Sequence, residues 1–179
     1  LDPLDSLKTY KDSTYARMVA AAARGHEIHV CQQGEIALDA GGVVARIRRL
    51  HLTDTTGQAY DWHRLDPDVV APLSSFDAVL MRKDPPFDME YVYSTYLLEL
   101  AQRQGACVFN DPRAIRDHNE KLAIAQFPQF IAPTIVTRDP QRLRDFVTEH
   151  GEAVFKLLDG MGGASIFRAR QGDPNLSVI

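Results

Sequence analysis

Apolar residues recur along the first half of the chain with two alternating periods. Asp12 and Ser13, both helix-capping types, precede Tyr15, Met18, Val19 and Ala22 at offsets of three and four up to Gly25, which predicts an amphipathic helix with a glycine stop. The run HEIHVC (26–31) predicts a short strand, and 35–39 with 43–53 around Ala40, Gly41 and Gly42 predict a hairpin. Residues 54–75 are polar and proline-bearing and read as an extended connection with one short strand around Trp62. DAVLM (77–81) predicts a buried strand that delivers Arg82, Lys83 and Asp84 to a stiff proline loop. A helix follows over 89–104, with Tyr93, Leu97, Leu98 and Ala101 on one face, and then a short strand over 106–109.

This alternation predicts an α/β fold with a parallel, doubly wound sheet, in which ligands bind at the C-terminal strand ends. Such a sheet normally opens with a strand, and only Leu1, Asp2 and Pro3 stand in its place, as though that strand were cut off. From Asn110 the style changes. Helical stretches over 111–118 and 119–127, the latter carrying Lys121, lead to a strand over 134–137 and a helix over 141–150 with Leu143, Phe146 and Val147 inward. Two strands, 153–158 with Lys156 and 164–170, then flank a glycine loop. The natural division is a first domain over 1–116 and a second over 117–179.

Composition narrows the class. The 179 residues are 45% hydrophobic and 25% charged, which is ordinary for a folded domain. A formal charge of -4 with no single-sign block argues against nucleic acid as a partner. The longest apolar run, 18–23, is far short of the roughly 20 residues of a membrane span, so a soluble cytoplasmic protein without a membrane partner is expected. Cys31 and Cys107 read as reduced, buried packing residues. His26 and His29 lie three apart on a strand and point to opposite faces, so a metal reading is disfavoured. Trp62, Arg46, Arg48 and Arg49 read as hairpin surface or an oligomer contact.

The densest candidate for chemistry is Asp159, Gly160, Met161, Gly162, Gly163, Ala164 and Ser165. Glycines let backbone N–H groups approach phosphate oxygens, and a lysine on the preceding strand adds a cation. A strand follows where the two common phosphate loops have a helix, so an ordinary glycine-rich hairpin turn fits the spacing equally. Lys121 and Lys156 together could serve one triphosphate; taken singly, each reads as solvated surface.

MRKDPPFD (81–88), NEKL (119–122) and LLDGMGGASIFR (157–168) resemble the bacterial glutathione synthetase family of the ATP-grasp superfamily. Asp2-Pro3, KDST (11–14) and QGDPNLSVI (171–179) extend the likeness over the chain. The resemblance implies a pre-ATP-grasp, Rossmann-like domain followed by an incomplete α+β ATP-grasp lobe. It implies a ligase that joins γ-glutamylcysteine to glycine with ATP and Mg2+ or Mn2+ through an acyl phosphate, in a homo-oligomer. Lys121, Lys156 and the loop of Asp159 to Ser165 would contact ATP. Arg82 would take a substrate carboxylate, with Lys83, Asp84, Asp2 and Ser13 beside it; the bland alternatives are an Arg82–Asp84 brace and Ser13 as a helix cap. Leu157 departs from the family's proline after the lysine, which loosens the backbone and leaves Lys156 in place. The metal ligands of such enzymes belong to a second lobe and are not found here. The chain alone is therefore expected to be inactive, and a non-catalytic binding fragment or another ATP-grasp amino-acid ligase are the competing readings.

Overall fold

The hairpin near the chain's start fixes most of the architecture of this computed structural model, which describes residues 1–160, 165–176 and 178. Strands β2 (Ile36–Asp39) and β3 (Gly42–Leu52) pair from Ile36↔Ala45 to Asp39↔Gly42. The two residues between them, Ala40 (φ 46) and Gly41 (φ 82), both take left-handed conformations, the backbone of a tight hairpin turn that matches strand twist. Gln104 clamps the turn, donating to the Gly41 carbonyl at 2.7 Å and accepting from the Val43 N–H at 2.9 Å.

Eleven-residue β3 is long enough to serve partners on both edges. One edge takes β2 and then β1 (Ile28–Val30); the other takes β5 (Val69–Pro72) and then β4 (His63–Leu65), all antiparallel. Side chains alternate along a strand, so Val43, Ala45 and Ile47 share one face and Leu50 lies on the other. The first set packs with Leu98 and Ala101 of α2 (Met89–Arg103), and with Ala106 and Val108. Leu50 packs with Val30, Trp62, and Tyr15 and Met18 of α1 (Ser13–Ala23). The first unit, Leu1–Asp84 with Met89–Arg116, thus carries a helix on each face of its sheet.

Several expectations change here. The single strand near Trp62 is in fact two, β4 and β5, hidden from pattern reading because Val69 and Val70 of the edge strand are exposed. Trp62 is not surface; it is 4% exposed and meets the Tyr15 ring edge-on at 5.2 Å. Of the expected parallel sheet, the one parallel pair among the described residues is β6 (Val79–Leu80) with β7 (Val108–Phe109). Cys107 is exposed, because alternation along its segment turns Ala106 and Val108 inward. In α2 the inward face is Tyr91, Ser94, Thr95, Leu98 and Ala101, and Tyr93 is exposed. Ser94 and Thr95 are tolerated inside because their hydroxyls donate to the Glu90 and Val92 carbonyls. Arg116 of α3 (Pro112–Asp117) donates to Thr95 at 3.1 Å, pairs with Glu99 and lies over the Tyr96 ring.

The second unit comprises Pro85–Asp88 and Asp117–Ile179. Helix α4 (Pro140–His150) has Asp139 as N-cap, Pro140 at its start and Gly151 (φ 78) at its end, and buries Val147 against the hairpin of β8 (Glu152–Phe155) and β9 (Phe167–Arg170). Residues 134–137 form no strand: their backbone is not paired in any sheet among the described residues. Lys121 lies in a turn rather than a helix, followed by 3-10 turns at Ala123–Gln126 and Pro128–Phe130. Lys156 lies just past β8, not within it.

A loop built on Asp54 steadies the approach to α1. Its carboxylate accepts from the Thr56 hydroxyl at 2.7 Å and from backbone N–H groups of Thr56, Gly57, Gln58 and Ala59. The loop is tied to the segment before α1 by Thr9 donating to the Gly57 carbonyl at 2.8 Å, and to α1 itself by Tyr15 donating to the Asp54 carbonyl at 3.1 Å. Gly57 is left-handed (φ +75), and a Cβ there would stand 3.2 Å from the Thr9 carbonyl oxygen. Gly57→Ala is expected to cost about 1–3 kcal/mol in denaturant unfolding of the first unit. The Asp54 hydrogen bonds hold its carboxyl at about 2, below the ordinary 3.8. Its depressed value means that its stabilisation is complete above the ordinary value and is lost as pH falls through about 2; an NMR titration with a midpoint near 3.8 would contradict this.

Candidate functional site

In the first unit, the C-terminal end of β6 and the N-terminal end of α1 meet, and the chain's first residues lie against them. Because Asp12 caps α1, accepting from Thr14 N–H at 2.6 Å, the Ser13 hydroxyl is released from that task. It accepts instead from Arg82 Nη2 at 2.7 Å, while Thr14 Oγ1 accepts from Arg82 Nε at 3.3 Å. The brace between Arg82 and Asp84 does not form. Lys83 instead takes the carboxylate of Asp2: its Nζ pairs with Asp2 Oδ1 at 2.7 Å and donates to the Asp84 backbone carbonyl at 2.7 Å. The other oxygen of Asp2 accepts the Asp84 N–H at 2.7 Å. Arg82, Lys83, Asp84, Asp2 and Ser13, spread over 83 positions of sequence, are thus one cluster.

Its electrostatics are uneven. Lys83 and Asp2 neutralise each other, whereas Arg82 meets only neutral hydroxyls and has no ion pair among the described residues. A guanidinium carries five N–H donors, and with two engaged three are left to receive an anion. Carboxylate is the fitting class, because planar guanidinium matches it with two parallel bonds. The Tyr91 phenol of α2 is a member that pattern reading missed. Burial pushes its ionisation up, the carboxylates of Asp84 and Asp2 push the same way, and Arg82 opposes them. Thr14 was missed too. Only its place beside Ser13 at the helix start hinted at it.

The second unit brings Lys121 to the glycine segment. Asn119 folds its turn by accepting from the N–H groups of Lys121 (3.0 Å) and Leu122 (3.2 Å), and its amide donates to the Leu158 carbonyl at 3.0 Å. Lys121 Nζ donates to the Gly160 carbonyl and pairs with Glu120 at 3.2 Å. From the same unit, the Phe87 N–H donates to the Asp159 carbonyl at 3.1 Å. Lys156 is exposed and has no such contact to the loop among the described residues. Ser165 is exposed and left-handed (φ 55). Met161, Gly162, Gly163 and Ala164 lie outside the described residues. Among those described, no group of three or more His, Cys, Asp or Glu side chains could hold a metal, and no helix is long and apolar enough to cross a membrane.

Residues 1–116 match the family model for the prokaryotic glutathione synthetase N-terminal domain, and residues 120–179 that for the prokaryotic glutathione synthetase ATP-grasp domain. Among curated relatives, a glutathione synthetase from Ralstonia nicotianae is 58% identical over 179 residues, covering 100% of this chain and 54% of the relative. One from Nitrosomonas europaea is 54% identical, over 100% of this chain and 56% of the relative, and one from Vibrio parahaemolyticus 46% identical over the same shares. The chain spans about half the length of the curated relatives it matches.

The opposed charges around Tyr91 give the cluster a signature. Arg82→Ala should raise the phenol's ionisation further, and Asp84→Asn should bring it back toward the ordinary 10.0. Titration of the Tyr91 ring signals by NMR reads both, and unchanged values in the two variants would separate Tyr91 from the cluster.

Proposed function

The chain belongs to the prokaryotic glutathione synthetase family, and from that premise we propose that it is the substrate domain and first nucleotide-binding portion of a ligase joining γ-glutamylcysteine to glycine. The observation that carries this reading from family to residue is Arg82, a half-buried cation propped by hydroxyls and without an ion pair among the described residues. γ-Glutamylcysteine carries two carboxylates and one ammonium. Arg82 receives a carboxylate, Asp84 the ammonium, and the Lys83–Asp2 pair, with Ser13, keeps the loop in register.

The proposed reaction transfers the terminal phosphoryl group of ATP to the cysteinyl carboxylate, giving ADP and an acyl phosphate. The glycine amine then attacks the acyl carbon, forming the amide and releasing phosphate. Such a route asks for positioning and charge neutralisation more than for covalent catalysis. Lys121 and Lys156 supply cations to ATP, and the segment Asp159 to Ser165 supplies backbone N–H donors and shields the acyl phosphate from water. The parallel β6–β7 pair, with helices on both sheet faces, supports a Rossmann-like pre-ATP-grasp domain over 1–116, and the α4–β8–β9 layer supports the opening of an ATP-grasp lobe over 117–179. Mg2+, or Mn2+ in its place, is proposed from the family. The described residues do not furnish a ligand set for it. Homo-oligomeric assembly and a cytoplasmic setting are proposed on the same family grounds.

Calorimetry on the 179-residue chain should show γ-glutamylcysteine binding that Arg82→Ala weakens by about 10- to 150-fold, the loss of charge-assisted hydrogen bonds worth about 1.5–3 kcal/mol. Unchanged affinity would remove the assigned role. With ATP, Mg2+, γ-glutamylcysteine and glycine, the chain alone should form no glutathione, and turnover would contradict that division of labour.

A further inference from the structure

The side-chain amide of Asn119, in the second unit, makes bonds of opposite sense at its two ends. Oδ1 accepts from the N–H groups of Lys121 at 3.0 Å and Leu122 at 3.2 Å, and Nδ2 donates to the Leu158 carbonyl at 3.0 Å, 39 positions along the chain. These partners fix the orientation of the amide, since a flip would set its NH2 against two N–H groups and its oxygen against a carbonyl. Aspartate would fold the same turn but meet Leu158 with a second acceptor. Serine would fold the turn and fall short of Leu158.

These bonds close a ring. Lys121, whose backbone Asn119 holds, donates from Nζ to the Gly160 carbonyl, two residues past the carbonyl that Asn119 holds. Between them the Asp159 carbonyl accepts the Phe87 N–H at 3.1 Å, so three consecutive carbonyls each have a donor. The Lys121 side chain is 19% exposed. A lysine's long stem is costly to order, and here it is ordered before any ligand arrives. A phosphate oxygen taking the acceptor place of the Gly160 carbonyl would find the ammonium already there. The Leu158 tie does not involve Lys121 Nζ, so it outlasts that exchange and keeps the segment from moving off with its freed carbonyl.

We propose that Asn119 is a positioning residue of the nucleotide phosphate site: its amide sets Lys121 and the Leu158–Gly160 segment at one spacing, so that the ammonium meets a phosphate oxygen where it now meets the Gly160 carbonyl. The inference rests on the ligase reading for the identity of the ligand. It adds to that reading a residue that touches no phosphate and acts through Lys121.

Inorganic triphosphate, titrated to saturation into the 179-residue chain and into its Asn119→Ser variant, tests this by NMR at the ε-methylene signals of Lys121 and Lys156. Both lysines should respond in the unmodified chain. In Asn119→Ser the response of Lys121 should be lost and that of Lys156 kept, with affinity weakened about three- to tenfold, as for one neutral hydrogen bond. A full Lys121 response in the variant overturns the inference. So does loss at both lysines with the buried Val147 amide still protected from exchange, because Asn119 would then serve the whole site rather than Lys121. If the variant unfolds, the unmodified chain decides: the Asn119 side-chain amide should stay slow to exchange at saturation, and its release on binding overturns the inference. A response at Lys156 without one at Lys121 in the unmodified chain overturns this inference alone. No response at either lysine overturns the phosphate site of the ligase reading, and this inference with it.

Discussion

Strand β3 hydrogen-bonds to four other strands, and the first unit depends on the fact that its two halves bury opposite faces. Val43, Ala45 and Ile47 commit one half to α2, and Leu50 commits the other to α1. Full burial of Val43, Ile47 or Leu50 contributes about 1.5–3 kcal/mol each, more than the roughly 0–1 kcal/mol of a surface ion pair. The exposed pairs Arg46–Asp68 and Arg49–Glu27 therefore decorate a sheet whose placement is already fixed by packing. With helices fixed on both faces, the N-terminal end of α1 and the C-terminal end of β6 are held at one rim, and the proposed carboxylate site is the consequence.

At that rim the polar contacts do what packing does not. Lys83 sits between Asp2 and the Asp84 carbonyl with a side chain 23% exposed, and a cation at that depth needs a partner. Arg82 is treated differently: hydroxyl oxygens orient it and leave its charge uncompensated. The hydroxyl acceptors carry no net charge, so an incoming carboxylate would not first have to displace another anion from Arg82. One cation thus builds the loop and its neighbour stays available to a ligand. The Asp54 loop contributes at a distance, since its ties to Thr9 and Tyr15 steady the segment that ends in Ser13 and Thr14.

How much of this was legible in the sequence varies with the interaction responsible. Local chemistry read well: Asp12 before α1, Gly25 and Gly151 after α1 and α4, and the Gly41 turn act within a few residues. Long-range choices did not. Tyr91 and Tyr93 sit on the same short stretch of α2, and it is Tyr91 that shares the buried face of Ser94, Thr95 and Leu98 while Tyr93 stays exposed. Trp62 lies in a polar stretch, but β4 pairing carries it under α1. Lys121 is drawn into a turn by Asn119, whose side chain bonds the backbone more favourably than a helix would allow. The grouping of Arg82 with Asp2 and Ser13 was readable only through resemblance, since no periodicity links positions so far apart.

Lys121 shows why the two proposed ligand sites are not built alike. Its ammonium donates to the Gly160 carbonyl, a neutral acceptor in the very segment proposed to bind phosphate. A triphosphate is the stronger acceptor by charge, so the proposed binding there would exchange the carbonyl for an anion and release the backbone at Gly160. Asn119 keeps its hold on Leu158 two residues earlier, so the release is bounded on that side. Leu157 precedes this anchored point, and its N–H takes part in no backbone hydrogen bond among the described residues. Under the proposed roles, the cation of the first unit is preset by hydroxyls, whereas the lysine of the second would have to change partners for a ligand to bind.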